Sequence, residues 1–150
     1  MLNLLLAIMG IALTAFVVTG GIWYFDSGVT VRKDTEVKTT AGFGSLSSGY
    51  HAYRMSMSQD LPQADWQAAL KDGFIYIPNA PAGMVWEYSQ ANHWFCLIGH
   101  ISAHQYRGLK IAREKLYIGT THLGSGCGLS DFDTTDPIEF PYTVSLTYLL

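Results

Sequence analysis

The chain has 150 residues, of which 49% are hydrophobic and 14% charged, with a formal net charge of −3. A length of this order supports one modest core. The nine Lys and Arg all fall between Arg32 and Lys115 without forming a block, so they read as solvated surface charge, and nucleic acid bound through a basic patch is not expected because counterion release needs clustered cations.

The charge is absent from one end altogether: no Asp, Glu, Lys, Arg or His precedes Asp26. Residues 2–25, LNLLLAIMGIALTAFVVTGGIWYF, would measure about 36 Å as an α-helix at ~1.5 Å per residue, enough to cross a hydrocarbon core of ~30 Å. Trp23 and Tyr24 stand where an aromatic belt meets the interface, and Asp26 marks the aqueous edge. A cleaved secretory signal fits poorly, since there is no basic n-region and the apolar run is too long. Orientation in a membrane is normally set by flanking Lys and Arg, and none precedes this segment. The expectation is therefore a mature chain whose basic leader was removed before Met1, with residues 1–28 forming a transmembrane or assembly helix and residues 29–150 an extracytoplasmic head.

Between residues 29 and 58 the apolar positions Val29, Val37, Ala41, Leu46, Tyr50, Tyr53 and Met57 recur at steps near three and four, which predicts an amphipathic continuation of the helix. Glycines weaken it at about 1 kcal/mol each relative to Ala, so a break is expected near Gly20-Gly21 or Gly28. PQADWQAALKD (62–72) predicts a short helix with Pro62 in its first turn, Trp66 and Leu70 one turn apart and Gly73 as the stop. Strands are predicted over FIYIP (74–78), MVWEY (84–88) and HWFCLIGHI (93–101), with NAPAG (79–83) and SQAN (89–92) as connections. Short connections imply antiparallel pairing. Ser102 is placed to cap a helix over AHQYRGLKIAREKL (103–116), whose Tyr106, Leu109, Ala112 and Leu116 share a face. Residues 117–123 and 143–150 predict further strands, the last completing the sheet, with GSGCG (124–128) as a turn around Cys127. The fold class so read is α+β: a long N-terminal helix packed on a small antiparallel-sheet head.

Candidate chemistry is sparse. His100 and His104 have the i, i+4 spacing of a zinc pair, but Ile101 stands where a general-base Glu belongs and no third ligand is indicated. Cys96 as a nucleophile activated by His100 lacks cationic neighbours. Asp131, Asp133, Asp136 and Glu139 lack the Gly and terminal Glu of an EF-hand; they read as a solvated acidic loop or as one side of a subunit contact against Arg32, Lys33 or Lys38 of a neighbour. No catalytic residue, metal site or cofactor is expected. Cys96 and Cys127 are the only cysteines. An extracytoplasmic head favours a disulfide between them, worth about 3–4 kcal/mol in the chain-entropy picture, with free buried thiols as the alternative.

A charge-free N-terminal helix, an amphipathic continuation, a small α+β head and a late cysteine pair together resemble the type IV pilins, and the type IVb branch in particular. GGIWYFDSG followed by GSLSSGYHAY (44–53) is similar to that family's passage from the membrane half of the helix to its head-packing half. The segments WFCLIG, YRGLKIAREKL and GSGCG resemble its disulfide-bounded C-terminal region. The resemblance implies N-methylation of Met1, storage in the bacterial inner membrane, and assembly into an extracellular pilus of copies of this chain or other pilins, with roles such as cell adhesion. Leu2, Leu4, Leu5, Leu6, Ile8, Ile11, Leu13, Phe16 and Val17 would then line the assembly helix. Most pilins carry Glu at the fifth mature position; here it is Leu5. That departure implies a minor pilin, a filament former that replaces an ion pair by apolar packing, or an inner-membrane-anchored component of the assembly apparatus.

Overall fold

The computed structural model describes Ile11, residues 27–128, Asp131 and residues 139–150. Contacts divide the chain into two units, residues 1–30 and 31–150. In the first, Ile11 is helical and 70% exposed. The rest of the expected span, with Gly20 and Gly21, lies outside the described residues. Among the described residues no helix is long and apolar enough to cross a membrane.

Helix α1 runs Ser27–Met57, and Gly28, an expected break point, lies inside it. From Val31 onward its buried side is Thr35, Glu36, Thr39, Gly42, Phe43, Leu46, Gly49, Tyr50 and Tyr53. The predicted stripe is correct for Leu46, Tyr50 and Tyr53. It fails for Val37, 52% exposed, for Ala41 and for Met57; Val29, in the other unit, is exposed as well. The physical reason is the neighbour. Near its start in this unit the helix meets another helix at backbone distance, so small and polar residues are buried there, while the large apolar residues follow only where the helix crosses the sheet.

Helix α2, Trp66–Lys71, is shorter than predicted, beginning four residues after Pro62. The preceding residues are held otherwise: the Gln63 side chain donates to the Tyr88 carbonyl (2.6 Å) and accepts from the Gln90 amide (2.7 Å). Trp66 and Leu70 are buried as expected. Residues 74–78, predicted as a strand, form none. Pro78 and Pro81 lack the N–H that a ladder needs. The segment instead lies along α1, with Phe74 against Tyr53 at 5.3 Å between centroids, Ile75 against Gly49, and the Pro78 carbonyl accepting from Trp86 Nε1 (2.9 Å).

The sheet contains β1 (Met84–Ser89), β2 (Trp94–Ile101), β3 (Thr121–Gly124) and β4 (Tyr142–Leu149), in the spatial order β1-β2-β4-β3. All pairs are antiparallel. The last strand is thus central rather than at an edge. Trp86 pairs with Leu97, and Leu97 with Leu146, which puts these side chains on one face together with Tyr88 and Phe95. That face and the α1 residues Phe43, Leu46, Tyr50 and Tyr53 make the core. Trp66 closes one end of it, 5.4 Å from Phe95 between ring centroids.

Helix α3, Ala103–Leu116, matches its prediction, including a capping box: Ser102 Oγ accepts from the Gln105 amide (3.4 Å), and the Ser102 amide donates to Gln105 Oε1 (3.0 Å). Leu109 and Ala112 are fully buried. Residues 117–123 are only partly strand. Tyr117 takes a φ of 86°, a single 3-10 turn covers Ile118–Thr120, and the hydroxyls of Thr120 and Thr121 donate to the Tyr117 carbonyl (3.2 and 3.1 Å). This hydroxyl turn delays the strand until Thr121.

Candidate assembly surface

The exposed side of α1 is the first candidate. Val37, Ala41, Gly44, Ser48 and Met55 are all exposed, with Met55 at 86%, and they follow one another in steps of about three, four or seven, the spacing of a single helix face. Gly44 has no atom within 4 Å of where a Cβ would stand. Glycine inside a helix costs about 1 kcal/mol relative to Ala, and nothing in the head makes use of it there. Gly42, two residues earlier, is the opposite case: the Trp86 ring occupies the space a Cβ would need. Sequence periodicity did not distinguish the two, because both are glycines in the same helix.

On the opposite side of the sheet from α1, the chain after β3 is fastened down. Cys96 and Cys127 are bonded, with their Cα atoms 5.8 Å apart. The Gly128 amide donates to Thr147 Oγ1 (3.0 Å), and Ser145 Oγ donates to the Gly126 carbonyl (2.7 Å). Asp131 extends this clasp, its carboxylate accepting from the Leu123 amide (2.7 Å) and from Arg113 (3.0 Å). Part of the predicted acidic loop is therefore paired within its own head rather than freely solvated. Glu139 is exposed, and Asp133 and Asp136 lie outside the described residues.

Helix α3 crosses the start of α1 closely. A Cβ on Gly108 would stand 2.5 Å from the Arg32 carbonyl and 2.9 Å from Thr35. Beside this crossing Glu36, whose side chain is only 7% exposed, accepts from Lys115 (2.5 Å) and Lys33 (2.9 Å). These two hydrogen bonds, Lys115 first, hold its carboxyl below the ordinary value of 4.5. Seven of the nine Lys and Arg belong to residues 31–38 and α3, against three carboxylates, Asp34, Glu36 and Glu114. Dispersed in sequence, they are gathered by the fold. A surface cavity of about 180 Å³ lined by Lys110, Arg113, Glu114 and Leu123 opens on the same helix.

Of the other predicted positions, Met1, Leu2, Leu4, Leu5, Leu6, Ile8, Leu13, Phe16 and Val17 lie outside the described residues. His100 and His104 are exposed, on β2 and in the first turn of α3. Among the described residues no group of three or more His, Cys, Asp or Glu is placed to hold a metal ion. Cys96 has no thiol to offer, being bonded to Cys127. Tyr88 is pushed above the ordinary phenol value of 10.0, mainly by burial, and so is Tyr50, where Asp60 adds to the effect; both stay protonated at neutral pH.

No protein-family model, curated protein or solved structure matches the chain.

Proposed function

We propose that this chain is a structural subunit of a type IV pilus-like filament, assembled through its apolar N-terminal helix and not an enzyme. One observation carries the reading beyond the sequence resemblance: α1 buries one side on the sheet and leaves the side bearing Val37, Ala41, Gly44, Ser48 and Met55 uncovered. Small residues at helical spacing let a second backbone approach closely, and the otherwise costly Gly44 acquires a use if another helix lies against it.

The physics of such a subunit is direct. Residues 2–25 are stored in the bacterial inner membrane, where apolar surface faces hydrocarbon, and are then withdrawn to pack against equivalent helices. Leu2, Leu4, Leu5, Leu6, Ile8, Ile11, Leu13, Phe16 and Val17 leave contact with water or lipid for contact with each other, and burial from water at about 25 cal/mol per Å² keeps them from separating. A head-to-tail contact that does not close generates an open filament, here extracellular. Leu5, in place of the usual Glu, favours a second reading, a minor pilin or an inner-membrane-anchored assembly component.

The test is to purify surface filaments and ask whether this chain is their bulk protein, with mass spectrometry of its N-terminus. A filament composed of it, carrying an N-methylated Met1, is expected. An unmethylated chain that stays in the membrane fraction refutes the filament reading. Leu13→Asp should abolish assembly while the head remains folded, and Gly44→Leu should lower filament yield without lowering head stability; normal yields from both would remove the helix from the assembly core.

A further inference from the structure

Cations are concentrated on the two helices that cross at Gly108 and Arg32. Arg32 and Lys33 lie within three residues of Val31, where unit 31–150 begins, and α3 crosses the helix at this place, with Gly108 against the Arg32 carbonyl. Arg107 and Lys110, on either side of Gly108, are exposed. Among the described residues, Arg32, Arg107 and Lys110 make no ion pair, whereas Lys38, Arg113 and Lys115 pair with Asp34, Asp131 and Glu36. Lys33 is 62% exposed even though it is bonded to Glu36. Asp34, Asp131 and Glu36 are thus engaged with cations of this cluster, while Lys33, Arg107 and Lys110 stay exposed and Arg32 half-buried, with the exposed Glu114 as the one carboxylate on α3, in a chain whose overall charge is negative.

We propose that this face, formed by Arg32, Lys33, Arg107 and Lys110, rests on an anionic lipid surface while the subunit is held in the membrane. The inference depends on the reading of residues 2–25 as membrane-inserted before assembly. Two facts choose lipid over other acidic partners. By sequence, Arg32 and Lys33 follow, within eight residues of Phe25, a segment free of charge and long enough to span a bilayer, and α3 crosses beside Arg32. Its exposed members are long Lys and Arg side chains, suited to reach headgroup phosphates, each strengthening attachment roughly five-fold where the surface is anionic. Attachment of this kind is screened by salt, so it holds the head near the membrane without making extraction of the helix prohibitive.

The experiment uses the full chain at one copy per nanodisc, in phosphatidylcholine alone or mixed with phosphatidylglycerol. A water-soluble acylating reagent then reports the reactivity of individual lysines. Lys33 and Lys110 are expected to react several-fold more slowly in the anionic discs and to recover at high salt. Lys71, exposed on α2, should react equally in both. Replacing Arg32 and Arg107 by Gln should restore the Lys110 rate in the anionic discs. Equal rates for Lys110 in the two lipids overturn the proposal. Slowing that follows the number of copies per disc overturns it too, and assigns the face to a second copy of the chain. A chain that does not elute with the discs at all refutes the membrane reading itself, a result separate from the lysine rates.

Discussion

Gly42→Ala and Gly44→Ala change the same residue type two positions apart in one helix, and they should shift stability in opposite directions. At Gly44 the added methyl meets nothing within 4 Å. Only backbone propensity changes, and the head should gain about 1 kcal/mol, or roughly 4 °C in Tm for a unit of this size. At Gly42 the same gain is available but the methyl collides with Cζ2 and Cη2 of Trp86. That ring cannot withdraw freely. Its Nε1 donates to the Pro78 carbonyl (2.9 Å), and its edge meets the Phe43 ring with centroids 5.0 Å apart. Overpacking of this kind costs about 1–3 kcal/mol, leaving a net loss of up to about 2 kcal/mol after the propensity gain. Thermal unfolding of the two disulfide-intact variants in detergent, followed by near-ultraviolet circular dichroism, decides the matter. A Gly42→Ala protein stabilised by as much as Gly44→Ala, showing the propensity gain with no overpacking cost, would refute the close approach of α1 to β1.

Two further outcomes follow from named contacts. Cys127→Ser should lower stability by about 3–4 kcal/mol, because the bond between Cys96 and Cys127 closes a loop of 31 residues in the unfolded chain; urea unfolding measures this, and a loss under about 1 kcal/mol would mean that the Thr147, Ser145 and Asp131 hydrogen bonds hold the segment without the bridge. Glu36→Gln should remove a pH-dependent part of stability. Its folded pKa lies below the ordinary 4.5, so the carboxylate's contribution is fully present above that value and disappears as pH falls through the lowered one. The gap between parent and variant urea midpoints should therefore be wide near about pH 7 and narrow at about pH 3. An equal gap at both would show that the ion pairs with Lys115 and Lys33 contribute nothing net.

Much of the fold was legible in the sequence because the deciding interactions are local. Helix α3 announced itself by Ser102 and Gln105, three residues apart, and by an apolar face at a period near four. Strands β1 and β2 announced themselves by aromatic and β-branched runs between turn residues. With only two cysteines one pairing is available, and the reading of the head as extracytoplasmic favours it over free thiols. The strand expected over residues 74–78 failed because its composition suits a sheet while Pro78 and Pro81 deny it a ladder, and α1 offered its apolar residues another surface. The buried face of α1 was misread near its start because α3 approaches there closely enough to bury Thr35 and Thr39 rather than Val37.

The candidate surfaces divide in the same way. Sequence by itself determined the charge-free N-terminal segment, the capped helix, the cysteine pair and the α+β class, since each depends on residues within a turn or a strand of one another or on simple count. Tertiary structure alone decided that the last strand lies between β2 and β3, that Gly42 is filled by Trp86 while Gly44 stays open, and that the two helices carrying seven of the cations cross one another. Those three outcomes depend on which distant segments meet, and a pattern read along the chain carries no distance between segments that only folding brings together.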